Sequence, residues 1–114
     1  MNKYQRALQL WSLLALAARN QQLLSYDLVG QLIGVPEYGL GPLLDPVYYY
    51  CMAQNLPPLT AIAISRVTGR PQQGFQLPPN YSNDVDAAQA SVFAFDWVSR
   101  GAPSPQDFEA AHPA

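Results

Sequence analysis

The sequence predicts a mainly α domain with a small β-hairpin and an added C-terminal helix. Three observations point there: apolar residues recur at helical spacing through the first half, residues alternate from Leu59 to Arg66 before a turn-rich segment, and a further helical period follows Pro79. At 114 residues, 49% of them apolar, the chain is long enough for one core. The organisation expected is a domain over 1–79 with an acidic helical extension over 80–114 packed on it.

The first helix is the one most easily mistaken for something else. Lys3 and Arg6 precede an apolar run from Ala7 to Ala18, and Ala15-Leu16-Ala17 resembles a signal-peptidase site. Gln9 and Ser12 interrupt that run, however, while Tyr4, Leu8, Trp11, Ala15 and Ala18 recur along one face. An amphipathic core helix accounts for the pattern better. The run also falls short of the roughly 20 apolar residues that span a bilayer, so no membrane segment is expected.

Ser25 starts a second helix through its hydroxyl, Asp27 suits the first-turn dipole and Gly34 ends it, with Leu28, Val29, Leu32 and Ile33 inward. Asp45-Pro46 reads as a further start, a capping carboxylate followed by a proline whose missing N–H costs nothing in the first helical position. The helix expected from it covers 46–54 and ends before Leu56-Pro57-Pro58. Branched residues and alternation over 59–66 read as a strand. The segment from Thr68 to Gly74 reads as a turn or wing tip, and Phe75 and Leu77 as the returning strand.

After Pro78-Pro79 a last long helix is expected from Ser82 or Asn83 to about Ser99, with Val85, Ala88, Val92, Phe95 and either Phe93 or Trp97 inward. The alternation of aromatics around Asp96 leaves a half-buried strand open there. Ser104-Pro105-Gln106-Asp107 starts a final turn in capping-box style.

Taken in order, several short motifs carry a resemblance over Tyr4 to Phe75. Tyr4-Gln5, Leu10-Trp11 with Leu14, Ser25-Tyr26-Asp27-Leu28-Val29, Ile33-Gly34, Leu40-Gly41, Leu56-Pro57-Pro58-Leu59 and Thr68-Gly69 leading to Gly74-Phe75 are similar to segments of the catalytic domain of alkylguanine-DNA alkyltransferases and the alkyltransferase-like proteins. That resemblance implies a winged-helix-like fold. It does not imply the chemistry. The family's transferases carry a Pro-Cys-His-Arg motif before the wing, whose histidine helps make an alkyl-accepting thiolate. Here Ala61-Ile62-Ala63-Ile64 stands in its place. The lone Cys51 and lone His112 lie elsewhere, in a helix upstream and in the tail.

The resemblance also implies a minor-groove element in which an arginine replaces a flipped base. Tyr38 holds that position, and Gly34 to Ser65 contains Glu37 and Asp45 but no lysine or arginine. Such a face neutralises phosphate poorly. The formal charge of −2 supplies no field favouring polyanions. Arg66 and Arg70 near the wing are the residues left to grip a backbone.

Tyr48, Tyr49 and Tyr50 point in three directions about 100 degrees apart on a helix, so at least one ring is expected at the surface, where tyrosine suits a protein interface. The alternative is that all three pack against the C-terminal helix. No paired carboxylates, phosphate-cradling glycine loop, Ser/His/Asp set or metal motif is present, so neither catalysis nor a cofactor is expected. One cysteine excludes an internal disulfide and fits a reducing cytoplasm.

Two readings follow. The first is a non-catalytic binding module in a nucleic-acid-related system that recognises a protein through Tyr48, Tyr49 and Tyr50, with a homodimer left open. The second is an alkyltransferase-like DNA- or RNA-binding module without alkyl transfer, using Tyr38, Arg66 and Arg70.

Overall fold

A computed structural model describes residues 1–72 and 75–113. Helix α1 (Lys3–Arg19) opens on a capping box that the sequence reading did not single out. Asn2 Oδ1 accepts from the Tyr4 and Gln5 N–H groups at 3.0 and 2.9 Å, and Gln5 Oε1 accepts from the Asn2 N–H at 2.9 Å. Its buried face is Ala7, Leu10, Trp11, Leu14, Ala15, Ala17 and Ala18. Trp11, Ala15 and Ala18 lie on it as expected, whereas Tyr4 and Leu8 flank the core and are only partly buried.

Strand β1 (Leu24–Ser25) leads into α2 (Tyr26–Ile33). Ser25 caps α2 by accepting from the Leu28 N–H, and Gly34 ends it in the left-handed region at φ 76°. The inward face is Tyr26, Val29 and Gly30, so Leu28 and Leu32 are exposed, contrary to the expected pattern. Gly30 explains the rotation. A Cβ there would meet the Val35 carbonyl at 2.5 Å, so the glycine lets the following turn pack against this side of the helix.

Helix α3 (Leu40–Ala53) follows a 3-10 turn over Glu37–Gly39 and runs continuously through Pro46. Asp45-Pro46 is therefore not a helix start. The true beginning is the 3-10 turn after Pro36, and Pro42 occupies the first-turn position that tolerates a missing N–H. Pro46, fully buried, packs in the helix interior at the cost of one hydrogen bond: it has no N–H to give the Pro42 carbonyl.

The predicted strand over 59–66 is a 3-10 turn (Leu59–Ile62) followed by the short strand β2 (Ala63–Ile64). The sheet also differs in kind. β2 pairs in parallel with β1, Leu24 opposite Ala63 and Ser25 opposite Ile64, so α2 and α3 form the crossover that parallel strands require. Phe75 and Leu77 form no returning strand. The tip residues of the expected wing, Gln73 and Gly74, lie outside the described residues. The fold is thus mainly helical with a small two-stranded sheet, as predicted, and its strands are not a hairpin.

The expected last long helix is broken. Helix α4 (Val85–Ala94), capped by Asp84, ends at Phe95, and α5 (Trp97–Arg100) starts anew with Asp96 as its cap, its carboxylate accepting from the Ser99 N–H at 3.1 Å. Trp97 Nε1 donates to the Val92 carbonyl at 2.8 Å and so satisfies the end of α4 from within the core. Helix α6 (Pro105–Ala111) begins on the predicted Ser104–Asp107 box.

Trp11 organises the interior. Its ring meets Tyr50, Trp97 and Phe108 edge-on at centroid distances of 5.5, 5.3 and 5.9 Å, tying α1, α3, α5 and α6 together. The residues after Pro79 therefore contribute Val92, Trp97 and Phe108 to the same core as α1 and α3.

Candidate functional site

The tyrosine run on α3 is mostly interior. Tyr50 is 8% exposed and packs on Trp11 and Phe108, Tyr48 is 9% exposed, and Tyr49 is half-buried. Tyr49 meets the His112 ring edge-on at 5.4 Å, and Tyr4 meets it edge-on at 6.0 Å. His112 thus closes the end of α6 over α1 and α3. Cys51 lies in the core, where burial pushes its thiol up to about 12 against weaker opposing effects of the Leu59 backbone and Arg100. Such a thiol carries almost no thiolate at neutral pH.

Of the residues named for nucleic acid, Tyr38 is 91% exposed at the turn before α3. Arg66 and Arg70 face carboxylates: Arg66 Nε lies 3.7 Å from Asp27 and Arg70 Nη1 lies 2.6 Å from Asp86. Asp27 is held below the usual carboxylate range by its hydrogen bond to Ser25, with Arg66 contributing. Both arginines therefore already face a carboxylate, Arg66 at the longer distance.

Two concave features stand out instead. The first is a cavity of about 310 Å³ between α2, α3, the Leu59–Ile62 turn and the segment around Gln72 and Phe75. Tyr26, Tyr48 and Phe75 supply aromatic rings, Asp45 supplies a carboxylate, and Thr60 and Gln72 supply polar groups. Tyr26 Oη accepts from the Gln72 N–H at 3.1 Å. Burial raises the Tyr26 and Tyr48 phenols above their ordinary value, so both rings stay neutral. The Thr60 hydroxyl, on a residue only 4% exposed, is buried with no hydrogen-bond partner among the described residues. A buried hydroxyl in that state costs free energy unless something meets it.

The second is a shallow groove of about 600 Å³ between α1 and α2, lined by Met1, Leu8, Leu13, Leu32 and Ile33 with neutral Gln and Ser between them. No acidic or basic side chain is among its lining residues. Leu16 and Leu32, each 58% exposed, and Leu28 extend the same apolar flank at helical spacing.

Neither feature was singled out from sequence. Asp45 was read as a helix start, Tyr26 as part of a motif and Thr60 as part of a strand. The one local signal was the Pro42 and Pro46 pair four residues apart, which disables a helical hydrogen bond where the cavity forms.

Among the described residues no three or more His, Cys, Asp or Glu side chains group to hold a metal ion, and no helix is long and apolar enough to cross a membrane. Comparison with known proteins finds no matching family model, no matching curated protein and no matching solved structure.

Proposed function

We propose that this protein is a non-catalytic binding module of winged-helix-like type that engages a partner protein through the α1–α2 groove, as an accessory in a nucleic-acid-related system of the reducing cytoplasm. The observation that carries the reading is the leucine-rich groove, with Leu32 exposed in its wall and Leu16 exposed beside it. A monomer gains nothing from that exposure. An amphipathic helix laid into the groove removes the apolar area from water, so the partner's own contact face is apolar, and Arg6, bonded to the lining residues Gln9 and Ile33, is the one cation held against the groove among the described hydrogen bonds. The buried thiol and the placement of Cys51 and His112 on different packed surfaces support a role without alkyl transfer.

The test uses a labelled, neutral, leucine-rich amphipathic helical peptide and fluorescence anisotropy. Wild type is expected to bind it, with amide shifts confined to α1 and α2, and a Leu16→Glu, Leu32→Glu variant to bind at least about tenfold more weakly. A concentration-dependent mass with no peptide binding assigns the groove to a second copy of the chain and overturns the partner reading. Equal binding by the variant does the same.

The nucleic-acid reading rests on Tyr38, whose exposure suits a ring that wedges between bases. It requires duplex binding that falls steeply with salt and collapses in an Arg66→Ala, Arg70→Ala variant.

A further inference from the structure

We propose that the cavity bounded by Tyr26, Tyr48 and Phe75 is a binding site for a small organic cation, a methylated ammonium group, with Asp45 as its counter-charge. The inference stands apart from the groove on α1–α2 and shares no residue with it.

Three features select the ligand. Three aromatic rings line one small cavity, and the negative face of each ring attracts a cation that has shed its water. Asp45 lines the same cavity while remaining exposed, so it sets a formal negative charge at the mouth. No lysine, arginine or histidine lines it among the described residues, and the two nearest-in-sequence arginines are matched to Asp27 and Asp86.

The same features exclude neighbouring classes. A phosphate or carboxylate ligand would meet Asp45 with no cationic group to hold it. A bare metal ion needs several close oxygens, roughly six to eight for calcium, and here one carboxylate faces three rings. An unmethylated ammonium is a compact and strongly hydrated charge, whereas methyl groups spread the charge and fit aromatic walls. The cavity's volume of about 310 Å³ suits a headgroup of this size and lies at the small end of ligand pockets.

Two sources present this chemistry: a free choline-like molecule and an Nε-trimethylated lysine in a peptide. The experiment titrates the intact chain with choline, with a trimethyl-lysine peptide and with 3,3-dimethylbutan-1-ol, the uncharged isostere of choline, and follows the amide and aromatic NMR signals of Tyr26, Tyr48 and Thr60. At least one cation is expected to move those signals, with the neutral alcohol about tenfold weaker or more. The tighter of the two cations identifies the source. Asp45→Asn is expected to weaken binding about fivefold or more, and Phe75→Leu about tenfold, while Phe75→Tyr keeps it. Phe75 lies outside every helix and strand, so these variants leave the helical far-UV signal unchanged. Failure of both cations to move the signals overturns the proposal, as does equal binding of the alcohol or an Asp45→Asn variant that binds like wild type. The Leu16→Glu, Leu32→Glu variant is expected to bind the cation normally, which separates this outcome from that of the α1–α2 groove.

Discussion

Two aromatic clusters meet on α3 and end differently. Tyr50 faces the cluster of Trp11, Trp97 and Phe108, where rings contact edge-on at centroid distances of 5.3 to 5.9 Å and Trp11, Trp97 and Phe108 are fully buried. Tyr48, two residues earlier, faces the cavity with Tyr26 and Phe75. The first cluster draws rings from four helices and closes because the tail folds back to deliver Trp97 and Phe108. The second is walled partly by Gln72, Phe75 and Gln76, which lie outside the helices and strands, and has a hydroxyl and a carboxylate among its rings. Filled aromatic packing stabilises the fold, and unfilled aromatic lining with polar groups is the form that recognition takes.

The sharpest break in that contrast is Trp11→Ala. Trp11 is 1% exposed and touches three of the cluster's rings, so truncation leaves a cavity that four helices cannot collapse into. The expected loss is about 3–5 kcal/mol, read as a lower denaturant midpoint with an unchanged slope. A loss under about 1 kcal/mol would mean that the tail is not docked on α1 and α3 and that the filled cluster does not exist in solution.

How much of this was legible in the sequence follows from the kind of signal each element carries. Local chemistry was readable: the Ser25 cap, the Gly34 stop and the Ser104–Asp107 box each depend on a few adjacent residues. Signals decided by tertiary packing misled. Pro46 looked like a helix start because a buried proline in mid-helix is tolerated only where the core rewards it. The α4–α5 break depends on Trp97 reaching back to Val92, a contact that periodicity does not encode. The parallel pairing of Leu24–Ser25 with Ala63–Ile64 joins residues far apart in the chain, and most of the alternating stretch over 59–66 is a 3-10 turn that buries Leu59, Thr60, Ala61 and Ile62 together. The candidate site was the least legible part, because Tyr26, Asp45, Thr60 and Phe75 share no spacing and meet only in the fold.

Cys51 sharpens the contrast from the filled side. Its thiol sits near 9.0 when unperturbed and at about 12 in the fold. Because the folded value is the higher, the native state holds the proton where the unfolded chain has released it. Stability from this group is therefore complete below about pH 9 and is lost as the pH rises from there towards 12. A Cys51→Ala variant is expected to start less stable and to lose less across that window, measured as denaturant midpoints at successive pH values. The native thiol is also expected to resist a disulfide reagent until the chain unfolds. Equal pH dependence in the two proteins would place Cys51 outside the packed cluster.

The smallest effect expected has the opposite sign and lies on the cavity side. Thr60→Val keeps the branched shape and removes a buried hydroxyl that has no partner among the described residues. Removing an unpaired polar group from an interior recovers its desolvation cost, so the variant is expected to gain about 1 kcal/mol. In the filled cluster no comparable substitution helps, since every ring there already has its neighbours. A fully methylated ammonium has no N–H to give that hydroxyl, so binding of the organic cation at the Tyr26–Tyr48–Phe75 cavity is expected to stay as in wild type while stability rises. A Thr60→Val variant that is destabilised instead would show that a water or a neighbouring carbonyl already meets the hydroxyl. The cavity would then be a solvated cleft whose polar groups are satisfied, and the distinction between the two aromatic clusters would reduce to their degree of filling.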